Sequence, residues 1–226
     1  MIDPLGRGAT LEIADWRRRV ATLYADVRAT AATDPRAAWE TWSAVREELY
    51  RTHPQSPVPA GSRAAFKARH WPYDPSFRFE VRVEALEDET LLVAPLSPGA
   101  TTGLGSIALP MSTGSPLEFA RFGRVTIPFT AGTRSLELFW MAGYAGGLFL
   151  PFRDATNGTS TYGAGRYLLD AAKGADLGGD AVAETLVLDF NFAFQPSCAF
   201  DPRWACPLAP PSNRLDLPIE AGERIA

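Results

Sequence analysis

Histidine and cysteine are scarce in this 226-residue chain: there are two of each, with His53 and His70 far upstream of Cys198 and Cys206. A structural zinc site needs four nitrogen or sulfur ligands at characteristic spacing, which this set does not offer, so no metal is expected. There is no G-x-S-x-G elbow, no H-E-x-x-H helix and no P-loop. Gly163-Ala164-Gly165 opens no dinucleotide fingerprint: the sixth position is Leu168, and a strand follows where a helix is required. No cofactor is indicated. The only basic run is Arg17-Arg18-Arg19, which reads as the solvated side of a helix. With a net charge of −4, the chain lacks the basic face that nucleic-acid binding uses. No apolar run approaches the roughly 20 residues of a membrane span, and the N-terminus has neither the basic start nor the apolar stretch of a signal peptide. The expectation is a cytoplasmic protein, with no nucleic acid or membrane as partner, whose cysteines stay reduced.

Apolar residues make up 46% of the chain and charged residues 21%, the balance of an ordinary globular protein. Residues 1–8 read as a flexible tail and 9–226 as a single domain. Its helical section spans 9–52. Trp16, Val20, Leu23, Tyr24 and Val27 mark one face of a helix over about 10–31. Asp34-Pro35 is an N-cap followed by proline at the first helical position. It starts a second helix, to about Arg51, with Trp39, Trp42, Val45 and Leu49 inward. After the prolines at 54, 57 and 59 the period changes to two. Phe77, Phe79, Val81 and Val83 alternate with Arg78, Glu80, Arg82 and Glu84, a strand with one wet and one buried face. Further strands fit near 90–95, 104–109, 117–122, 124–129, 135–142, 147–153, 166–170 and 185–192, so the β core spans 70–192. The fold class is mainly β, an antiparallel sandwich or barrel, with two N-terminal α-helices. Residues 193–226 hold too much proline for a central strand. They hold too many large apolar residues for a free tail, and so read as an ordered coil packed on the sheet.

Two stretches concentrate polar groups among strand signals. The first runs from Asp154 to Arg166. It reads either as a long hairpin turn held by Asp and Asn, or as a loop in which Asp154, Thr156, Tyr162 and Arg166 offer an acceptor, hydroxyls and a cation to a small polar or anionic ligand. The second is Leu188-Asp189-Phe190-Asn191-Phe192. On a strand, Asp189 and Asn191 share one face, and a buried carboxylate there needs a partner, for which Arg153 or Arg166 is the natural choice. It reads either as a structural ion pair or as a carboxylate with a perturbed pKa in a pocket. Cys198 reads as a packing thiol, or as a nucleophile if His53 or His70 folds back onto it.

The run Phe152-Arg153-Asp154-Ala155-Thr156-Asn157-Gly158, with Thr161-Tyr162-Gly163-Ala164-Gly165-Arg166-Tyr167-Leu168, resembles the signature of a prokaryotic family known only as domain of unknown function 1684. Asp189-Phe190-Asn191, Phe194-Gln195-Pro196-Ser197-Cys198, Cys206-Pro207-Leu208, Pro210-Pro211-Ser212-Asn213-Arg214-Leu215 and Glu220-Ala221-Gly222-Glu223 continue it, as do Pro72-Tyr73-Asp74-Pro75 upstream. The resemblance covers about residues 35–224. It implies no activity. His70-Trp71 stands where the family usually has two aromatics, which argues against a catalytic His70. Ser212 replaces a common glutamate, so no acid is carried over to that position. Many relatives look exported, so the resemblance implies a disulfide between Cys198 and Cys206 in those relatives and free thiols here.

Three functional readings follow. In the first, a small-molecule pocket carries out metal-independent hydrolase or transferase chemistry. Asp189, Tyr162 and Asp154 are its catalytic residues, and Arg166, Thr156, Asn191, Cys198 and Asn213 bind the ligand. Asp189 would act as general base or acid and Tyr162 would donate to developing charge. In the second, a non-catalytic β module holds a small ligand against Phe139, Trp140 and Phe149. In the third, the tryptophans of the helical section, Trp39 and Trp42, form a homodimer surface.

Overall fold

The computed structural model describes residues 6–86, 106–141 and 146–225. Helix α1 spans Gly6–Ala31 and α2 spans Pro35–Thr52. Residues 6–8, assigned to the tail by sequence, are thus the first turn of α1. Asp34 caps α2 by accepting from the amide of Ala37 at 3.0 Å, and Pro35 follows at the first helical position. The two helices bury Leu23, Tyr24 and Val27 with Ala38 and Trp42 in the main core, while Leu49 and Tyr50 pack with Val58 in a smaller cluster. Trp42 is fully buried. Its indole donates to the Tyr24 hydroxyl at 3.1 Å, and its ring meets Phe192 edge-on at 5.3 Å. Trp42 therefore offers no surface to a second copy. Among the described residues, no helix is long and apolar enough to cross a membrane.

The strands are β1 (Arg69–His70), β2 (Arg78–Glu84), β3 (Ser106–Leu109), β4 (Leu117–Phe129), β5 (Gly132–Met141), β6 (Leu148–Phe152), β7 (Arg166–Asp170), β8 (Gly179–Asp180), β9 (Thr185–Asp189) and β10 (Glu223–Arg224). β1 and β10 form a separate two-stranded ribbon. The others make one antiparallel sheet in the order β7-β6-β5-β4-β2-β9-β8, with β3 also on β4. It curls into a half-barrel. The curl follows from the pairing. β2 joins β4 only through Val83 and Glu84 and gives its remaining length to β9. Residues 117–129, read as two strands by sequence, are one strand whose register with β5 shifts between Arg121 and Gly123. Such a bulge bends and twists a strand without ending it. Pro151, inside β6, likewise sits where the ladder shifts. The strand expected at 90–95 lies outside the described residues.

β9 stops at Asp189, short of the expected 192. The Asp189 carboxylate accepts from the amide of Asn191 at 3.1 Å, and Phe190–Phe192 turn as a short 3-10 segment. A local side-chain bond of this kind competes with the ladder and ends it. Asp189 and Asn191 are therefore neighbours across a cap, not two positions on one strand face. Phe139 and Phe149 belong to the packed interior: Phe149 stacks on Phe119 at 5.0 Å and meets Tyr167 at 4.8 Å. Both are core, not cavity walls.

The proline-rich C-terminal coil alternates. Asn213, Leu215, Leu217, Ile219 and Ala221 are buried, while Arg214, Asp216, Pro218 and Glu220 are exposed. This is strand-like patterning in a segment where Pro218 has no amide to give a ladder. The coil ends at Gly222, where φ is +79° and an added Cβ would lie 2.4 Å from the Ala193 carbonyl oxygen. Gly158 is also left-handed, at φ +83°, but has open space around it. Gly222→Ala should lose about 3 kcal/mol or more, through strain plus collision. Gly158→Ala should lose about 1–2 kcal/mol from backbone conformation alone. Urea unfolding of both variants checks the difference.

Candidate functional site

β6 ends two residues before Asp154, and β7 begins at Arg166, so the hydroxyl-rich loop between them starts and ends on the same pair of strands. Asp154 Oδ1 accepts from the Thr156 amide at 2.7 Å and the Thr156 hydroxyl at 2.5 Å. Asp154 Oδ2 accepts from Arg166 Nη2 at 3.0 Å, with both side chains wholly buried. Arg166 Nη2 also donates to the Ile219 carbonyl at 2.8 Å, and Nη1 to the carbonyls of Ala221 and of Glu223, the latter at 3.1 Å. The guanidinium lies between the rings of Trp71 and Phe152, at 5.4 and 5.2 Å. Burial lowers its pKa while Asp154 opposes the shift, and an arginine keeps its charge through such a change. Four of its donors are thus taken by protein acceptors. Thr161 accepts from Asn157 Nδ2 at 2.8 Å and shares a hydroxyl contact with Thr156 at 2.9 Å, so the loop satisfies itself.

The partner of Asp189 is Arg78, at 3.1 Å, and not Arg153 or Arg166. Register decides this, because Arg78 and Asp189 stand directly opposite across β2 and β9. Arg153 instead donates to the Gly163 carbonyl at 2.9 Å. Asp189 also accepts from Asn191 Nδ2 at 2.8 Å and lies 3.4 Å from the Tyr73 hydroxyl. The Asn191 amide group bonds both backbone atoms of Asp74, at 2.9 and 2.8 Å. Burial raises the Asp189 pKa, with Asn191 and Arg78 opposing. Burial, helped by Asp189, pushes the Tyr73 phenol up to about 12. Asn213 lies elsewhere. Its side chain bonds both backbone atoms of Glu137, at 2.8 and 2.9 Å, and the Pro151 carbonyl at 2.8 Å, stapling β5 to β6.

Tyr162 and Cys198 meet in a further group. The Cys198 amide donates to Cys206 Sγ at 3.3 Å, and the Cys206 amide donates to the Ser112 hydroxyl at 3.0 Å. Hydrogen bonds from Cys206 and Tyr162 lower the Cys198 pKa against the opposing effect of burial. The hydrogen bond to Cys198, together with burial, raises that of Cys206. Neither histidine is here: His53 lies 3.3 Å from Asp15, and His70 packs against Trp39 and Trp42. The eight residues singled out by sequence thus fall into four hydrogen-bonded groups. Among the described residues, no three His, Cys or carboxylate side chains gather as a metal site would need.

Sequence reading missed a fifth group. Arg46 of α2 makes a buried ion pair with Glu223 of β10 and donates to the Tyr50 hydroxyl. Its guanidinium lies 4.5 Å from the Tyr50 ring and 4.6 Å from that of Phe194. Glu223 also accepts from the Gln195 amide at 2.8 Å. The β1–β10 register sets His70 against Glu223 on this inner side and Arg69 against Arg224 on the other. Arg69 and Arg224 border a cleft of about 630 Å³ together with Phe66, Lys67, Phe200 and Ile225. Among the described residues no carboxylate pairs with Lys67, Arg69 or Arg224. The signal that could have found this cleft was two residues of pairing at each strand, too short for any periodicity.

Removing one member of a buried ion pair leaves the other uncompensated. Arg166→Ala should lose about 3–5 kcal/mol in urea unfolding, and Arg166→Lys, which keeps the charge without the fork, should lose less. Asp189 gives a pH signature. Its folded pKa lies above the ordinary 3.8, so between the two values the folded state holds a proton that the unfolded chain has released. Stability therefore falls as pH rises through that window. Asp189→Asn removes this slope, so the variant's urea midpoint should rise relative to wild type across the window. A difference that stays flat with pH would contradict it.

A search of curated proteins gave no match. The solution NMR structure of an uncharacterized protein from Haloarcula marismortui is similar, with 29% identity and a TM-score of 0.55. The match covers 84% of this chain and 95% of that one. The model of the family described as protein of unknown function (DUF1684) matches residues 65–224, a span holding the Asp154–Arg166 clamp and both Arg69 and Arg224 of the cleft, and the chain belongs to that family.

Proposed function

We propose that this protein is a non-catalytic binding module for a small anionic molecule with a flat apolar body, seated in the cleft between residues 61–69 and the β10 end of the chain. The observation that carries the reading is the opposition of Arg69 and Arg224 in the β1–β10 register. Like charges directly opposite on a strand pair are unfavourable, and here both border an open cleft with Lys67 beside them. An anion between the two guanidinium groups turns that repulsion into a two-armed clamp, since the planar fork matches carboxylate and phosphate oxygens. Phe66 and Phe200 meet edge-on at 5.8 Å, and Tyr50 meets Phe200 at 5.2 Å, giving the cleft an aromatic floor for the apolar body.

The hydrolase or transferase reading leans on Asp154, Tyr162, Arg166 and Asp189. In this fold both carboxylates are tied to arginines and Arg166 to backbone carbonyls, so a binding module is favoured over catalysis. Thermal shift with a panel of aryl carboxylates and aryl phosphates tests it. At least one probe should raise the melting temperature in proportion to its occupancy and be recovered unchanged by chromatography. Arg224→Gln and Arg69→Gln should each weaken that probe by about tenfold or more, the loss of one charge-assisted contact. Without ligand, Arg69→Glu should unfold no more easily than wild type, because it exchanges a repulsive cross-strand pair for an attractive one. Recovery of a converted product would overturn the non-catalytic reading. Full binding by both Gln variants would remove the cleft from it.

A further inference from the structure

We infer that Cys198 is an oxidisable nucleophile that reduces a peroxide, with Cys206 as the partner that closes the pair to a disulfide. Three separate stretches of chain converge on these sulfurs. Ser112 comes from the segment after β3, Tyr162 from the loop before β7, and both cysteines from the C-terminal coil. The Cys198 amide donates to Cys206 Sγ at 3.3 Å, which brings the Cys206 sulfur against the Cys198 backbone, and the two thiols interact. Ser112 is held in place on two sides. Its hydroxyl donates to the Trp204 carbonyl at 3.0 Å, and its amide donates to the Cys206 carbonyl at 2.9 Å. The Cys206 thiol and the Tyr162 hydroxyl are the donors toward the Cys198 sulfur and lower its pKa, while the single Ser112 proton is taken by the Trp204 carbonyl. A thiol that merely fills space needs no such donors, whereas a thiolate is stabilised by each of them. Both cysteines are buried, and Cys198 is the less enclosed, 7% exposed against 1% for Cys206, which together with its lowered pKa assigns it the attacking role.

The chemistry balances with a hydroperoxide as the only co-reactant. The Cys198 thiolate attacks the outer oxygen of ROOH and the O–O bond breaks. The departing alkoxide takes a proton from water, leaving Cys198 as the sulfenic acid. Cys206 then loses its thiol proton and attacks the sulfenic sulfur. An S–S bond forms, the S–O bond breaks, and hydroxide leaves to recombine with the proton as water. The dithiol gives up two electrons and the peroxide becomes an alcohol and water. This reaction does not depend on occupancy of the arginine-lined cleft and is tested with that cleft empty.

The experiment treats the full chain, reduced and ligand-free, with hydrogen peroxide. It follows free thiols with a chromogenic disulfide reagent and the intact mass by spectrometry. Wild type should lose both thiols together, as one monomeric species lighter by two hydrogens, at a rate about tenfold or more above that of glutathione. Cys206→Ser should stop at a sulfenic acid trapped by dimedone, and Cys198→Ser should react no faster than glutathione. Iodoacetamide labelling of Cys198 should titrate well below the ordinary thiol value of about 8.5, and Tyr162→Phe, which keeps both cysteines, should move that midpoint upward. The Tyr162→Phe and wild-type measurements stand even if a cysteine variant fails to fold. Thiols that survive peroxide no less well than glutathione, or a Cys198→Ser protein that reacts as fast as wild type, would overturn the proposal. So would a labelling midpoint in the ordinary range.

Discussion

The guanidinium of Arg166 is fully buried, and a buried charge is tolerated only when its donors find acceptors. Those acceptors are one carboxylate, Asp154, and three carbonyls of the C-terminal coil, at Ile219, Ala221 and Glu223. Leu215, Glu223 and Ile225 bond their amides to the carbonyls of Arg153, Ala193 and Ser160, and Pro218 interrupts that series. Past the break, Arg166 adds donors to the carbonyls of Ile219, Ala221 and Glu223. The route of residues 213–225 over the sheet, and with it the placing of β10 against β1, is held by these two sets of bonds together.

A second buried arginine repeats the device from the helical side. Arg46 of α2 is paired with Glu223, whose backbone carbonyl accepts from Arg166. One residue near the chain end thus joins the two long helices, the sheet and the coil. Around it lie Tyr24 and Tyr50, whose phenol pKa values burial raises, and Trp42, which fills the space beneath. Gly222, with its positive φ, lets the chain pass close enough to Ala193 for both clamps to close.

This frame leaves some reactive groups over. The carboxylates, amides and guanidinium groups of the interior are committed to one another, which is how a β-rich chain with few histidines and much proline holds a polar core. The groups left without such commitments lie at the margins of the coil. Arg69 and Arg224 face each other with no carboxylate paired to either among the described residues, and Cys198 lies beside Cys206 and Tyr162. Both features sit where the coil meets another element, the β1 ribbon in one case and the segment after β3 in the other. The binding and the thiol chemistry proposed above would both be carried there, on the seam, and not in the middle of the half-barrel.

Much of the architecture could be read from sequence. The N-cap and proline at 34–35, the helical stripes through Leu23 and Trp42, and the alternation over 77–84 are local signals, and local physics set them. The residues Asp154, Tyr162, Arg166, Asp189, Cys198 and Asn213 also stood out as chemically unusual, since buried polar groups in strand-like surroundings need partners. Which partner each one has was not legible. Arg78 reaches Asp189 because β2 and β9 align those two residues, Arg166 reaches carbonyls more than fifty positions away, and Arg69 meets Arg224 through a ribbon only two residues wide. Composition and periodicity determine elements and burial, whereas pairing depends on strand register and on the path of the coil, and those exist only once the distant segments have packed.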